Sequence, residues 1–181
     1  IIWVFGFWEV FKRTWDTSLL QTILDTFTYF DAHFYRYFLD ENDGLYRGQA
    51  TFIDPGGNGY PGYSNQASIM IKALSTNGLY VGAFDIMVQV CRLLGDDNQA
   101  EAFLARRTSL AGAIRRAFGP YHYPYYIDPS GAPSDRRELL GTAFLTLFNI
   151  IPPEESRALL ESYPSGDFGR PQIWPPYEGT K

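Results

Sequence analysis

The sequence predicts an all-α fold built from antiparallel helical hairpins. Apolar residues recur at steps of three or four along most of the chain, the spacing that places them on one face of a helix. Six such segments fall into three pairs joined by short links, and short links between helices imply antiparallel neighbours. Hydrophobic residues make up 45% of the 181 residues and aromatic residues 17%. That composition suits a single helical domain spanning 1–181 and excludes a disordered chain.

The first predicted pair joins two helices that are rich in aromatic residues. Trp3, Phe7 and Phe11 stand four residues apart, so they share one helix face, which we expect to lie in the core. Residues 16–18, Asp-Thr-Ser, supply capping chemistry for the second helix, whose apolar residues follow helical spacing: Leu20, Ile23, Leu24, Phe27, Phe30, Phe34 and Phe38. The chain opens inside the helical pattern without an initiator Met, so we expect it to be a piece of a longer one.

The second and third pairs follow from capping and breaking signals. The second pair runs over residues 79–94 and 96–118, and Gly95 between them is a natural C-cap residue. The third pair begins with a helix over residues 137–148, and Pro152-Pro153 ends it and opens the last helix. The run Asp135-Arg136-Arg137-Glu138 is interpreted as a capped, charged helix start, with substrate binding as the alternative.

Long loops separate the pairs, at residues 40–77, at 119–135 and from 163 onwards. Because successive helices alternate in direction, we predict that all three loops leave the bundle at the same end, with the short turns at the other. A short internal repeat supports a hairpin unit, because Ile53-Asp54-Pro55-Gly56-Gly57 in the first loop matches Ile127-Asp128-Pro129-Ser130-Gly131 in the second. The alternative is that both copies are ordinary turn chemistry.

The first long loop carries the side chains best suited to chemistry. Residues 41–63 contain carboxylates, an arginine, amides and four aromatic rings, and long loops on a rigid scaffold are where sites usually reside. Aromatic rings stack on the apolar faces of sugars while Asp, Asn, Gln and Arg bind hydroxyls, so this composition favours a carbohydrate ligand. The alternative is an ordered lid, in which Phe52 and Tyr60 fill the core and Arg47 pairs with Asp43 or Asp54.

Several motifs carry a resemblance to a known family: Gly44-Leu45-Tyr46-Arg47-Gly48, Phe52-Ile53-Asp54, Tyr60-Pro61, Leu74-Ser75-Thr76-Asn77, residues 139–144 and residues 172–175. Together they resemble the six-hairpin glycosidases. These are the (α/α)6-barrel glycoside hydrolases related to trehalases, glucoamylases and glycogen-debranching enzymes. The resemblance implies that the three hairpins form about half of an (α/α)6 toroid, which a second chain or a further segment would complete.

The resemblance also implies a function, the inverting hydrolysis of an oligo- or polysaccharide. In that reaction one carboxylic acid protonates the glycosidic oxygen and a carboxylate ~6.5–9.5 Å away activates water. Asp54 is the best positional match to the acid, Asp43 is the second, and Glu178 matches the base. The candidate sugar-binding residues are Tyr46, Arg47, Gln49, Tyr60, Asn77, His122 and Trp174.

Two other functions stay open at this point. The first is a non-catalytic helical module that binds carbohydrate or peptide through the same loops. The second is a polysaccharide lyase on a related barrel, which needs a Tyr or His base beside a neutralising Arg, and Tyr46, His122 and Arg47 could serve. A net charge of -5 argues against the acidic substrates that a lyase takes.

Composition also argues against several classes of partner. The 15 basic residues are outnumbered by 20 acidic ones, which is unlike a nucleic-acid-binding chain. The longest apolar run, residues 1–8, is too short to span a membrane. Cys91 is predicted to be a buried core thiol, and one cysteine with two histidines gives little basis for a structural zinc site. We therefore predict a carbohydrate partner, no metal and no cofactor.

Overall fold

The computed structural model describes residues 1–48, 70–167 and 169–175. Over these residues the fold is mostly helical, as predicted, with six helices: α1 (Ile2–Thr14), α2 (Ser18–Phe30), α3 (Leu74–Leu94), α4 (Asp97–Phe118), α5 (Leu139–Leu147) and α6 (Pro153–Glu161). α2 continues through a π-helical turn, Asp31–Tyr35, and a last α-turn, Arg36–Phe38. None of the described helices is both long and apolar enough to cross a membrane.

Three pairs of two-residue antiparallel strands tie the loops to the helix ends: β1 (Leu39–Asp40) with β2 (Leu45–Tyr46), β3 (Lys72–Ala73) with β4 (Tyr126–Ile127), and β5 (Arg137–Glu138) with β6 (Ile173–Trp174). β1 directly follows the last turn of the α2 segment. β3 and β5 directly precede α3 and α5. The strands therefore fix where three of the helices end or begin.

The capping signals between α3 and α4 are confirmed, whereas Thr17, the residue before α2, makes no capping hydrogen bond with its side chain. Gly95 ends α3 in the left-handed conformation with φ of 79°, and the Asp96 carboxylate accepts a hydrogen bond from the Gln99 amide at the start of α4. The predicted start of α3 was wrong, because α3 begins at Leu74 instead of about residue 79. α5 begins at Leu139, two residues after the predicted start at about residue 137. In both cases strand pairing with a distant segment sets the first helical residue.

α3 is the central helix of the fold. It packs against α1, α2, α4 and α5, and it is buried on nearly every side, as expected for a helix that is apolar all round. Cys91 on this helix is completely buried, as predicted. Gly78 and Gly82 allow α5 to approach closely, because an added Cβ would lie 2.9 Å from Phe144 Cβ or 2.6 Å from the Phe148 ring.

The aromatic stripe of α1 is only partly in the core. Phe11 is buried together with Val4, but Phe7 is 38% exposed, so the prediction that the whole stripe is buried was wrong. Trp3 lies at the edge of the core, where its indole N–H donates to the Tyr35 hydroxyl at 3.0 Å. The buried face is rotated because α1 packs against both α2 and α3.

The described parts of the three long loops lie at one end of the bundle, as predicted. The Gly48 amide donates to the Ile71 carbonyl at 2.7 Å, which joins the first loop to the start of α3. The second loop pairs with the same start through β3 and β4. The tail joins the start of α5, where the Leu139 amide donates to the Gln172 carbonyl at 2.8 Å. This end of the bundle is called the loop end below.

Candidate functional site

Four charged side chains form a compact group at the loop end, defined here as the loop-end cluster: Asp40, Asp43, Arg47 and Lys72. Lys72 Nζ donates to Asp40 Oδ2 at 2.8 Å and also to Asp43 Oδ2. The Arg47 guanidinium lies 2.9 Å from Asp40 Oδ2. Two carboxylates and two cations therefore balance each other where the first loop meets the start of α3.

The turn between β1 and β2 places both carboxylates of the cluster. Asp40 Oδ1 accepts from the amide of Asn42 at 3.2 Å, and Asp43 Oδ1 accepts from the amide of Leu45 at 3.1 Å. Such local bonds from Asp side chains to nearby amides stabilise turns. Gly44 takes a φ of 77°, which favours glycine. Each carboxylate thus uses one oxygen to form the turn and turns the other to Lys72.

The contacts of the cluster keep its central carboxylate ionised. Hydrogen bonds from Lys72 and Arg47 hold the pKa of Asp40 well below its usual range. Burial alone would lower the pKa of Lys72, but its hydrogen bonds to Asp40 and Asp43 outweigh that effect and raise it. A general acid must carry a proton at the working pH. Asp40 therefore cannot be one, and it serves to orient Lys72 and Arg47.

Two predicted sugar-binding residues, Tyr46 and Asn77, are buried and hold β2 against α3. The Asn77 amide group accepts from the Tyr46 N–H at 2.7 Å and donates to the Tyr46 carbonyl at 2.9 Å. The Tyr46 ring stacks on Tyr80 with centroids 3.7 Å apart. Asn77 is completely buried and Tyr46 is 2% exposed. Contact with a sugar would require this packing to open.

The other described candidates lie at or near the surface. Arg47 pairs with Asp40 and not with Asp43, and the other expected partner, Asp54, lies outside the described residues. His122 is exposed in a left-handed conformation just after α4. Trp174 is 42% exposed in β6 and borders a groove of about 510 Å³ that is also lined by Asp167 and Arg170.

The predicted acid and base, Asp54 and Glu178, lie outside the described residues, as do Gln49 and Tyr60. The second copy of the internal repeat is described and forms a turn, because Asp128 Oδ1 accepts from the amides of Ser130 and Ala132 at 2.8 and 2.9 Å. The Ser130 hydroxyl also donates to Asp128 Oδ1, at 2.6 Å, and this bond together with those from the amides lowers the pKa of Asp128. The repeat in that copy is therefore accounted for by turn formation.

A polar network beneath the loop-end cluster was not predicted. Arg106 on α4 makes two hydrogen bonds, of 2.7 and 2.8 Å, to the carboxylate of Asp31, and it also donates to the Tyr46 hydroxyl at 3.3 Å. Its guanidinium lies over the Phe84 ring, 4.5 Å from the centroid. Asp31 reaches this position from the π-helical turn of the α2 segment. No local sequence signal links residues 75 positions apart.

Glu138 is the second residue that the sequence interpretation missed. It directly precedes α5, at the helix start that the sequence predicts, but it is completely buried. Its Oε1 accepts from the Ser75 amide at 2.7 Å. Burial raises the pKa of Glu138 to about 8, against the opposing effect of hydrogen bonding from Ser75.

A further groove among the described residues lies away from the loop end. It has a volume of about 670 Å³ and runs between α2 and the turn that joins α3 to α4, with Asp25, His33 and Asp96 on its walls. His33 packs against the Tyr29 ring with centroids 4.6 Å apart. No three His, Cys, Asp or Glu side chains within 1–48, 70–167 and 169–175 are grouped so as to hold a metal ion.

Comparisons of the chain with models of protein families, with curated proteins and with solved structures found no match.

Proposed function

We infer that the chain is part of a glycoside hydrolase whose carbohydrate site lies at the loop end. The observation that carries this proposal is the convergence of three long loops at one end of an all-α hairpin array. Loops positioned by a rigid scaffold are the usual place for binding and catalytic residues. The half-exposed Trp174 and its groove lie at this end and provide a flat ring for stacking against a sugar.

The roles follow the requirements of an inverting reaction. Asp54 is the general acid and Glu178 the general base, and the two act on opposite faces of the sugar. Asp43 is the second candidate. Lys72 donates to Asp43, so Asp43 acts there as an acceptor, which fits a base or a positioning role better than that of the acid. Lys72 is occupied by the two carboxylates, so Arg47, whose side chain is 30% exposed beside Asp40, is the cluster's candidate donor to substrate hydroxyls.

The same proposal includes the architecture of the larger domain. The hairpins would continue into an (α/α)6 toroid through a second chain or a further segment. The α2 segment supports this, because four large side chains along it are 41–71% exposed: Tyr29, Phe34, Tyr37 and Phe38. Exposed apolar surface of this extent usually marks an interface.

One observation favours a second candidate, a carbohydrate-binding module without catalysis. The Asp40 carboxylate is neutralised by Lys72 and Arg47, and Glu138 is completely buried. Neither can meet a substrate as an acid in this structure. The lyase alternative receives less support. The Tyr46 hydroxyl, its candidate base, accepts a hydrogen bond from Arg106, and Arg47, its candidate neutralising cation, pairs with Asp40.

The test is to assay the complete protein, with the chain or segment that fills the toroid, against a panel of glycans and then to replace Asp54 by asparagine in it. We expect hydrolysis to fall by ~10²-fold or more, the scale of lost general acid catalysis, with substrate binding retained. Asp128→Asn is the matched control, because Asp128 occupies the same Ile-Asp-Pro motif in the second copy and should leave turnover unchanged.

The outcomes of this experiment separate the two functions. Binding of a glycan by the wild-type protein without any hydrolysis would favour the binding module. Near-normal turnover by Asp54→Asn would remove Asp54 from the reaction and make Asp43 the next residue to replace. A protein that neither binds nor hydrolyses any glycan of the panel would refute a carbohydrate function.

A further inference from the structure

Glu138 joins three separate segments of the loop end. Its side chain accepts a hydrogen bond from the amide of Ser75, the second residue of α3. Its backbone pairs with Ile173 in β6, and the next residue, Leu139, begins α5. The starts of α3 and α5 and the strand at 173–174 therefore meet at this one carboxyl group.

The carboxyl group is tightly enclosed and only half satisfied. Glu138 is completely buried, and a Cβ at Gly141 would come within 2.6 Å of its Oε1. Oε2 is buried without a hydrogen-bond partner, and so is the Ser75 hydroxyl oxygen. An ionised carboxylate buried in this way is costly unless a cation pairs with it.

No cation compensates Glu138 among the described residues. Arg137, the adjacent residue, directs its guanidinium to Ser162 and lies over the Tyr163 ring. Lys72 on β3 is bound by the carboxylates of the loop-end cluster. The other charged neighbour in sequence, Arg136, pairs with Asp135 at 2.7 Å.

Neighbouring tyrosines do not supply a charge either. The Tyr163 hydroxyl donates to the carbonyls of Arg137 and Gln172, and burial raises the pKa of Tyr163. Tyr125 packs with Ile173 in the same small apolar cluster. The described residues of α3 and β6 that pack here, Leu74, Ser75 and Ile173, are uncharged. Among the described residues, this leaves a proton on Glu138 itself as the way to neutralise the group.

We propose that Glu138 is a proton-dependent clasp that holds the starts of α3 and α5 and the strand at 173–174 together. In the closed form a proton from solvent sits on the carboxyl group, so that a neutral acid and not an anion is buried beside Ser75. Loss of the proton to solvent leaves a buried anion without a cation, and the three segments separate more readily. The clasp is a property of the fold and does not depend on the proposed glycosidase activity.

The sign of the pH dependence of the clasp follows from the difference between the pKa of Glu138 in the closed form and that in the open form. Burial raises the pKa of Glu138 to about 8 in the closed form, whereas an exposed Glu titrates near 4.3. The closed form therefore holds the proton over this interval while the open form has lost it. The stabilisation from Glu138 is complete below about pH 4 and declines as the pH rises towards about 8. The opening equilibrium constant rises by up to about tenfold per pH unit over that interval.

Amide hydrogen exchange, corrected for intrinsic exchange rates, tests the clasp. In the wild-type protein we expect protection of the Ser75, Leu139 and Ile173 amides to fall by about tenfold or more between about pH 5 and about pH 8. Glu138→Gln keeps the shape and the neutral charge, so its protection at these amides should not change with pH. Glu161→Gln removes an exposed carboxylate at the end of α6 and should behave as wild type.

Two results would overturn the proposal. One is the same fall in protection in Glu138→Gln, or no fall in the wild type. The other comes from nuclear magnetic resonance of the wild-type protein with 13C-labelled glutamate, which requires no variant to fold. A Glu138 side chain that titrates near 4.3 would show that the buried group is ionised at neutral pH, whereas a midpoint near 8 supports the clasp.

Discussion

Replacing Gly78 by alanine tests the closest contact between the central helix and the last hairpin. An added Cβ would lie 2.9 Å from Phe144 Cβ, which is shorter than real Cβ atoms approach other groups. Phe144 Cβ is attached directly to the backbone of α5, so it cannot rotate away. α3 and α5 would have to separate, and overpacking of this kind costs about 1–3 kcal/mol.

The change in stability caused by Gly78→Ala is best compared with that of the same substitution at a glycine that has no such contact. Alanine gains about 0.5–1 kcal/mol over glycine in a helix interior. A Cβ added at Gly6 in α1 would have no atom within 4 Å, so Gly6→Ala should show this gain alone. Gly78→Ala should lose about 0–2 kcal/mol of net stability, since the cost of overpacking opposes the same gain. We therefore expect the two variants to differ by about 1–3 kcal/mol.

The assay is urea unfolding of both variants and the wild type, followed by far-ultraviolet circular dichroism. A change in the midpoint at constant slope reports a change in the free energy of unfolding. If Gly78→Ala is stabilised as much as Gly6→Ala, then α5 does not lie against this face of α3. The arrangement of the last hairpin would then be wrong.

Two further predictions concern the polar contacts at and beneath the loop end. Asp40 has a depressed pKa in the folded state, so its contribution to stability is present above the unfolded value of about 3.9 and is lost as the pH falls below it. Urea midpoints between about pH 7 and about pH 2 should therefore fall more steeply for the wild type than for Asp40→Asn, and equal slopes would contradict this. A double-mutant cycle of Arg106→Met with Asp31→Asn should give a coupling of about 1–2 kcal/mol for the charged, two-bond contact. A coupling near zero would mean that the pair is not formed in solution.

The helical hairpins could be predicted because their signals are local. The apolar spacing of α4, the glycine at position 95 and the carboxylate of Asp96 act within one or two helical turns of the structure they determine. The prediction that the loops converge needed only the alternation of helix direction. The start of α3 could not be obtained in this way, because Ala73 is held extended by Tyr126, which lies in another loop.

The site was less accessible to prediction because its polar partners are far apart in sequence. Asn77 and Tyr46 are 31 positions apart, and Glu138 and Ser75 are 63 apart. Residue type alone places a glutamate beside a helix start in solvent, where it interacts favourably with the helix dipole. Glu138 departs from that rule because a second helix begins at the same point and encloses it.

The three contacts that the local sequence pattern did not predict have one feature in common. This feature indicates where the loop end can change shape. Each contact joins a helix to a segment whose position the local sequence pattern does not predict. The residues that make these contacts are Asn77, Glu138 and Arg106. Native proteins tend to break local rules at functional or strained sites. The three contacts differ in their response to solvent, since the Asn77 amide does not titrate and Arg106 stays charged, whereas Glu138 can lose its proton. A change of pH near neutrality would therefore act first on the junction of α3, α5 and the strand that carries Trp174, and the first loop would stay in place.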